Sequence, residues 1–356
     1  MSREMHTKLL LPIASLALAA CATTTQRSID PIVLKLADEL EANYLFPEEA
    51  KEYATYLRTS NRLPTYSNTD PHTYANSLTT QLQSVSPDGH LRVHYEPEAT
   101  EAPPTPAGST PSHPDAIDLA TTLLPGVAYL RMNLFPGDEA TVRAVEAFIE
   151  THTGSRSLII DLRGHRGGGL AEMDVLFSNL FSGRTDLVQM EVREAVDEAG
   201  QSPIKDAATT IRIEGPKGVV RRQHIAIPTE HPSFAASRVL VLTSNYTVSA
   251  AEHLAFALQK AGRATIIGEA TYGGAHFGGD IELGHEFYAF VPVGRTFDPA
   301  TGQSWEGSGV RPDVETEADK ALIEALIQIG VPHAEAIAID TDLDFEVPKR
   351  RRLGDQ

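Results

Sequence analysis

Apolar residues recur at intervals of three and four through "DPIVLKLADELEANYL" and "EEAKEYATYLRTS", and "DPHTYANSLTTQLQSV" opens with an acid and a proline. This spacing places the apolar side chains on one face of a helix, so residues from Ile29 to about Tyr95 read as a small helical bundle. The pattern then changes to alternation in "HLRVHY", which predicts a short strand. Residues 97 to 115, "PEATEAPPTPAGSTPSHPD", hold six prolines and almost no large apolar side chain. Such a segment buries too little surface to fold and reads as an extended linker.

Beyond the linker the period switches repeatedly. "GVAYLRMNLF" is followed by a helical stretch from about Glu139 to Thr151, strand "SLIIDL", a glycine-rich turn and a helix through "LAEMDVLFSNLF". Polar strands and turns occupy about Asp186 to His231, and then come strand "RVLVLT", a helix from Ser249 and strand "ATIIG". Continuous apolar strands separated by helices predict an α/β domain with a largely parallel sheet. The expected organisation is a leader at 1–20, a short segment at 21–28, a helical domain at 29–96, a linker at 97–117, a catalytic-size α/β domain at 118–332 and a tail at 333–356.

Arg3 and Lys8 precede "LLLPIASLALAA", an apolar run too short for a good membrane span, and Cys21 follows at once. "LAAC" has the form of a bacterial lipoprotein signal, with Cys21 lipidated as the leader is removed. Ala22 carries no inner-membrane retention signal of the aspartate type, so the expected location is the cell envelope, on the outer membrane facing the periplasm. Cys21 is the single cysteine, which excludes an intrachain disulfide. The 30 Lys and Arg and 48 Asp and Glu fall by two and one when residues 1–20 are removed, for a net charge of −19. An acidic body of this kind disfavours a nucleic-acid partner. "KRRR" near the C-terminus reads as a solvated tail.

Several short stretches carry candidate chemistry. In "SNYTVSAAEHLAFAL", Ser249 and Glu252 match a capping box, and the same serine stands where helix N–H groups could stabilise an oxyanion. Both readings stay open on these residues alone. In "IIDLRGHRGGGL", Gly167, Gly168 and Gly169 permit close backbone approach and N–H groups converging on an anion, although the Gly-Lys-Ser/Thr ending of a phosphate loop is missing. His90 follows the Pro-Asp-Gly turn of "SPDGHLRVHY". His94 lies about 13 Å further along an extended chain, too far for a helical two-histidine metal pair. Glu306, in "SWEGSGVRPDVE", sits between a tryptophan and a Gly-x-Gly turn. No metal and no cofactor are expected.

Taken in order, "PDGH", "IIDLRGHRGGG", "VLVLTSNYTVSAAEHLAFAL", "IIGEATYGGA" and "EGSGVRPDV" closely resemble the tail-specific, or C-terminal processing, serine peptidase family. The resemblance spans about residues 30 to 325. It implies an α/β fold with a ClpP/crotonase-like core behind an N-terminal helical domain, and hydrolysis of peptide or protein substrates. Ser249 matches the nucleophile. The processing-peptidase branch carries a lysine base where this chain has Gly274, so the chain is more similar to the tricorn-core and interphotoreceptor retinoid-binding-protein branch, in which a histidine matched by His90 is the base. Glu306 matches that branch's acid, and the N–H groups of Ala250 and of Gly168 or Gly167 would receive the oxyanion. Two departures stand out: Gly89 replaces the serine before the tricorn histidine, and His165 replaces an asparagine of the glycine-rich turn. The rival readings are a non-catalytic lipoprotein that carries an apolar ligand or peptide on the same scaffold, and an acyl-CoA enzyme, which fits an exported chain poorly.

Overall fold

The computed structural model describes residues 29–66, 69–97 and 113–349. Cys21, the leader and most of the proline-rich segment lie outside the described residues. Three helices come first, α1 (Pro31–Asn43), α2 (Pro47–Thr59) and α3 (Pro71–Val85). Each starts on proline, whose fixed φ suits the first helical turn. Asp30 and Asp70 cap α1 and α3 by accepting N–H bonds from Ile32 and Thr73.

The remaining helices are α4 (Glu139–Thr151), α5 (Ala171–Leu180), α6 (Glu194–Glu198), α7 (Ala250–Lys260), α8 (Ala321–Gln328) and α9 (His333–Leu343). The strands are β1 (Arg92–Tyr95), β2 (Ile117–Leu124), β3 (Val127–Met132), β4 (Ser157–Asp161), β5 (Thr185–Arg193), β6 (Thr210–Ile213), β7 (Val219–Ala226), β8 (Arg238–Thr243), β9 (Ala264–Gly268), β10 (His276–Gly284), β11 (Phe287–Phe297) and β12 (Val314–Glu315).

Among the described residues these strands form two open six-stranded sheets. In the mainly parallel one, ordered β12-β9-β8-β4-β3-β2, strands β3 and β4 are buried at every residue, in keeping with their mostly apolar runs. The other sheet is antiparallel. In it β11 pairs with β10 on one side and with β1 and β5 on the other, and β7 and β6 continue outward from β5.

This arrangement corrects the expected ClpP/crotonase-like core: the protein is a mixed α/β fold built on two open sheets. The reason lies in residues 185–226 and 276–297, whose local pattern did not disclose a partner. They pair with one another over long distances in sequence and make a second sheet as large as the first. Helices α1, α2 and α3 pack on that sheet, and Leu36, Leu40, Tyr53 and Leu78 share one buried cluster with Val192, Phe287 and Val291. Across the parallel sheet, α8 and α9 cover one face, while α4, α5 and α7 cover the other. Past α9, Phe345 lies over the guanidinium groups of Arg131 and Arg163, with 4.0 and 5.0 Å between ring centroid and Cζ. Among the described residues no helix is long and apolar enough to cross a membrane.

Candidate active site

Strand β8 ends at Thr243 and α7 begins at Ala250, with Ser249 as the residue before the first turn. An ordinary N-cap has an extended backbone. Ser249 instead has φ 60° and ψ −120°, a region that a side-chain-bearing residue rarely occupies. Strain of this kind persists only where the surroundings over-determine it. Here Glu252, wholly buried, does so. Its Oε2 accepts the Ser249 N–H at 2.8 Å and the Gly274 N–H at 2.9 Å, and its Oε1 accepts from the Thr271 hydroxyl and the Gly273 N–H. Burial pushes the Glu252 pKa up, against these four hydrogen bonds.

Ser249, Ala250, Gly168 and His90 line one cavity of about 760 Å³. Ala250 opens the helix, so its N–H has no acceptor within the helix and lies at the positive end of the dipole. At Phe135 the chain forms a bridge in which its N–H donates to Gly167 O and its C=O accepts from Gly169 N–H. That turns Gly168's own N–H the opposite way. Gly168 has φ 127°, and a methyl on it would stand 2.0 Å from Phe135 O, so glycine is required. Gly167 differs from its neighbour: its N–H donates to His165 Nδ1 at 3.0 Å and is not open to the cavity.

His165 itself is fully buried against Phe135, with ring centroids 4.1 Å apart and Nε2 unpartnered among the described residues. Burial, and then the charge of Arg166, pushes its pKa down to about 3. The linkage follows in sign. Above the unfolded value of 6.5 both states are neutral and stability is complete; as pH falls toward 3 the unfolded chain takes up a proton that the folded chain refuses. His165→Asn keeps an acceptor for Gly167 and removes the titration. Urea unfolding of the two proteins between about pH 6 and about pH 4 is expected to show wild type losing about 1.4 kcal/mol per pH unit more than the variant; parallel curves would contradict this.

His90 is buried and lies against Gly274, where an added methyl group would come within 2.4 Å of its Cε1. Gly274 is tied to Ser249 through the shared Glu252 oxygen, which brings the imidazole to the serine's side of the cavity. Among the described residues no hydrogen bond joins the His90 ring to Ser249 Oγ, and His90 Nδ1 has no partner. Burial lowers the His90 pKa, opposed by the charges of Glu306 and Asp88. Glu306 does not touch the ring. Its Oε1 accepts the Gly89 N–H at 2.9 Å, and its Oε2 accepts the N–H groups of Ala275 and His276 at 2.6 and 3.0 Å. A side chain at position 89 would meet this carboxylate at 3.0 Å.

Three residues not singled out from the sequence, Asp88, Tyr44 and His276, complete the support. Asp88 Oδ1 accepts the N–H groups of His90 and Leu91, and its Oδ2 accepts from Tyr44 OH at 2.9 Å and His276 Nδ1 at 2.8 Å. Burial alone would raise the Asp88 pKa, yet its bond to His276 leaves it lowered. For His276, burial pulls down and the Asp88 bond and charge pull up harder, so the pair is ionised together. The Asp-Gly turn was a signal for Asp88, since aspartate commonly bonds the N–H two residues on. Nothing in "GGAHFGG" marked His276. Asp88, His276 and Glu306 also form a group among the described residues that could hold a metal ion, with ligand atoms within 4.8 Å of one another. Their carboxylate oxygens, however, are already committed to backbone N–H groups, Tyr44 and His276.

Comparison with known proteins agrees with this architecture. The chain resembles, in fold, the photosystem II D1 C-terminal processing protease (TM-score 0.51, 17% identity, covering 82% of this chain and 94% of that one). It is similarly related to a putative peptidase from Parabacteroides merdae (TM-score 0.56, 16% identity, 89% and 98%). A lipoprotein from Streptococcus agalactiae also matches (TM-score 0.51, 13% identity, 91% and 98%). The family model for the N-terminal domain of peptidase S41 in eukaryotic interphotoreceptor retinoid-binding protein matches residues 14–124. The model of peptidase family S41 matches residues 126–316, more than half of the chain, and the protein therefore belongs to peptidase family S41.

Proposed function

We propose that this family member is an active serine peptidase in which Ser249 is the nucleophile and His90 its general base. The observation that carries the reading is the strained backbone of Ser249 at the head of α7, on the same cavity as an imidazole held over Gly274. His90 accepts the Ser249 hydroxyl proton as Oγ attacks the amide carbon, and returns it to the leaving amine. Because its pKa is lowered, the ring is neutral and able to accept that proton at neutral pH. The N–H groups of Ala250 and Gly168 receive the developing oxyanion, a contribution of several kcal/mol when well aimed. Glu306 acts on His90 through its charge and through the Gly89 N–H, in a role closer to holding the loop than to a direct imidazole partner.

The substrate class is peptide or protein. Anchoring rests on the "LAAC" sequence: a lipid on Cys21 would hold the body at the cell envelope, on the outer membrane facing the periplasm. A fluorophosphonate probe followed by peptide mapping tests the centre of the reading. Label on Ser249, lost when His90 is replaced by alanine, is the expected result; label elsewhere removes Ser249 from the mechanism.

A further inference from the structure

A polar chain, half-buried at its acid and buried at its two histidines, enters the same cavity and takes no part in the chemistry above. Asp174 Oδ1 and His224 Nε2 are 2.8 Å apart, and His224 Nδ1 and His253 Nε2 are 2.9 Å apart. Thr209 donates its hydroxyl to the other Asp174 oxygen at 2.8 Å. His224 is fully buried and His253 nearly so. The proton order follows from the acid end for a neutral His224. The carboxylate then takes the proton on His224 Nε2, His224 Nδ1 is the acceptor and His253 Nε2 donates. His253 Nδ1 is then a bare acceptor. Burial, and then the neighbouring His224, hold the His253 pKa well below its ordinary value, so the His253 ring is neutral at neutral pH.

His253 stands one helical turn beyond Ser249 and lines the cavity beside Ala250. Next to it Trp305, 2% exposed, packs its indole edge-on at 6.3 Å between ring centroids and lines the cavity too. The Trp305 Nε1–H is buried with no partner among the described residues. A buried donor left unpaired costs roughly 1–3 kcal/mol, and a ligand that pairs it recovers that cost. An acceptor and an unpaired donor on two neighbouring rings of the cavity lining complement a group that offers a donor and an acceptor together.

We propose that this corner is a subsite for a carboxamide, so that the residue supplying the scissile carbonyl is glutamine or asparagine. The amide N–H donates to His253 Nδ1 and the amide oxygen accepts from Trp305 Nε1–H, while Asp174 and His224 fix the tautomer that makes His253 an acceptor. The proposal rests on the peptidase reading for the peptide's orientation, but its test needs no turnover.

The full chain carrying Ser249→Ala is titrated calorimetrically with three peptides of one sequence that end in glutamine, methionine or glutamate. Methionine matches glutamine in length without hydrogen bonds, and glutamate matches its shape without the N–H donors. Binding of the glutamine peptide is expected to be about tenfold tighter than that of either other peptide. In the same background, His253→Leu and Trp305→Phe should each reduce that preference to about twofold. Equal binding of the three peptides, no binding of the glutamine peptide, or an unchanged preference in both variants overturns the subsite. The ranking in the parent background requires no further variant, so misfolding of one cannot rescue the idea. Turnover by the Ser249 protein without glutamine preference would leave the peptidase reading intact and end this one. A glutamine preference in binding without any turnover would do the reverse.

Discussion

Alanine at position 249 is expected to lower kcat/KM for a susceptible peptide by on the order of 10⁴- to 10⁶-fold, and alanine at position 90 by a similar factor. The two groups act on one proton, so the double variant should be little worse than either single one. Steady-state hydrolysis, with thermal unfolding as a check that each variant folds, measures both. Independent, multiplying losses would mean that His90 and Ser249 do not work together. The acid limb of the kcat/KM profile tests the same pair. Burial lowers the His90 pKa, with Glu306 and Asp88 opposing it, so the rate should hold as pH falls past the ordinary imidazole value of 6.5 and decline only below it.

The second large effect is expected at a residue with no side chain. A methyl on Gly274 would stand 2.4 Å from His90 Cε1 and 3.0 Å from Nδ1, far inside ordinary contact. The backbone of His90 cannot yield easily, because Asp88 holds its N–H and Glu306 holds that of Gly89. The ring must therefore swing away. Gly274→Ala is expected to reduce kcat on the order of 10²- to 10³-fold with KM little changed, since misplacing a catalytic group by about an ångström has such consequences. Gly274→Lys should fall at least as far, because a lysine stem and the imidazole need the same space. A kcat near wild type in Gly274→Ala would show that His90 does not act from its observed position. A lysine stem at 274 and the imidazole of His90 would thus compete for one volume.

The parts legible from sequence were those whose signals are local. Apolar runs such as "SLIID" and "RVLVLT" announced buried strands, and Asp-Pro starts announced α1 and α3. Ser249 was visible as a helix head, but its φ of 60° has no local signature, since Glu252, Thr271, Gly273 and Gly274 impose it together. The antiparallel sheet stayed hidden because its strands find partners far away: Arg92 pairs with Phe290 and Thr296 with Met190. The ClpP/crotonase-like core was an expectation of the resemblance, and the two open sheets overturn it. Glu306 was expected to orient the imidazole directly or through an intervening group; its oxygens go to three backbone N–H groups around it, including that of Gly89 beside His90. His276 escaped notice because its acid partner, Asp88, lies 188 residues earlier.

The pairing of β1 with β11 has a consequence for the living cell. His90 lies two residues before β1, a strand whose partner residues 287–290 are made much later, and Gly168, Ser249 and Glu306 come from three further stretches of polypeptide. No nascent fragment ending before those stretches contains a complete set. Whatever chemistry these four residues carry together therefore cannot precede synthesis of Glu306, close to the end of the described chain.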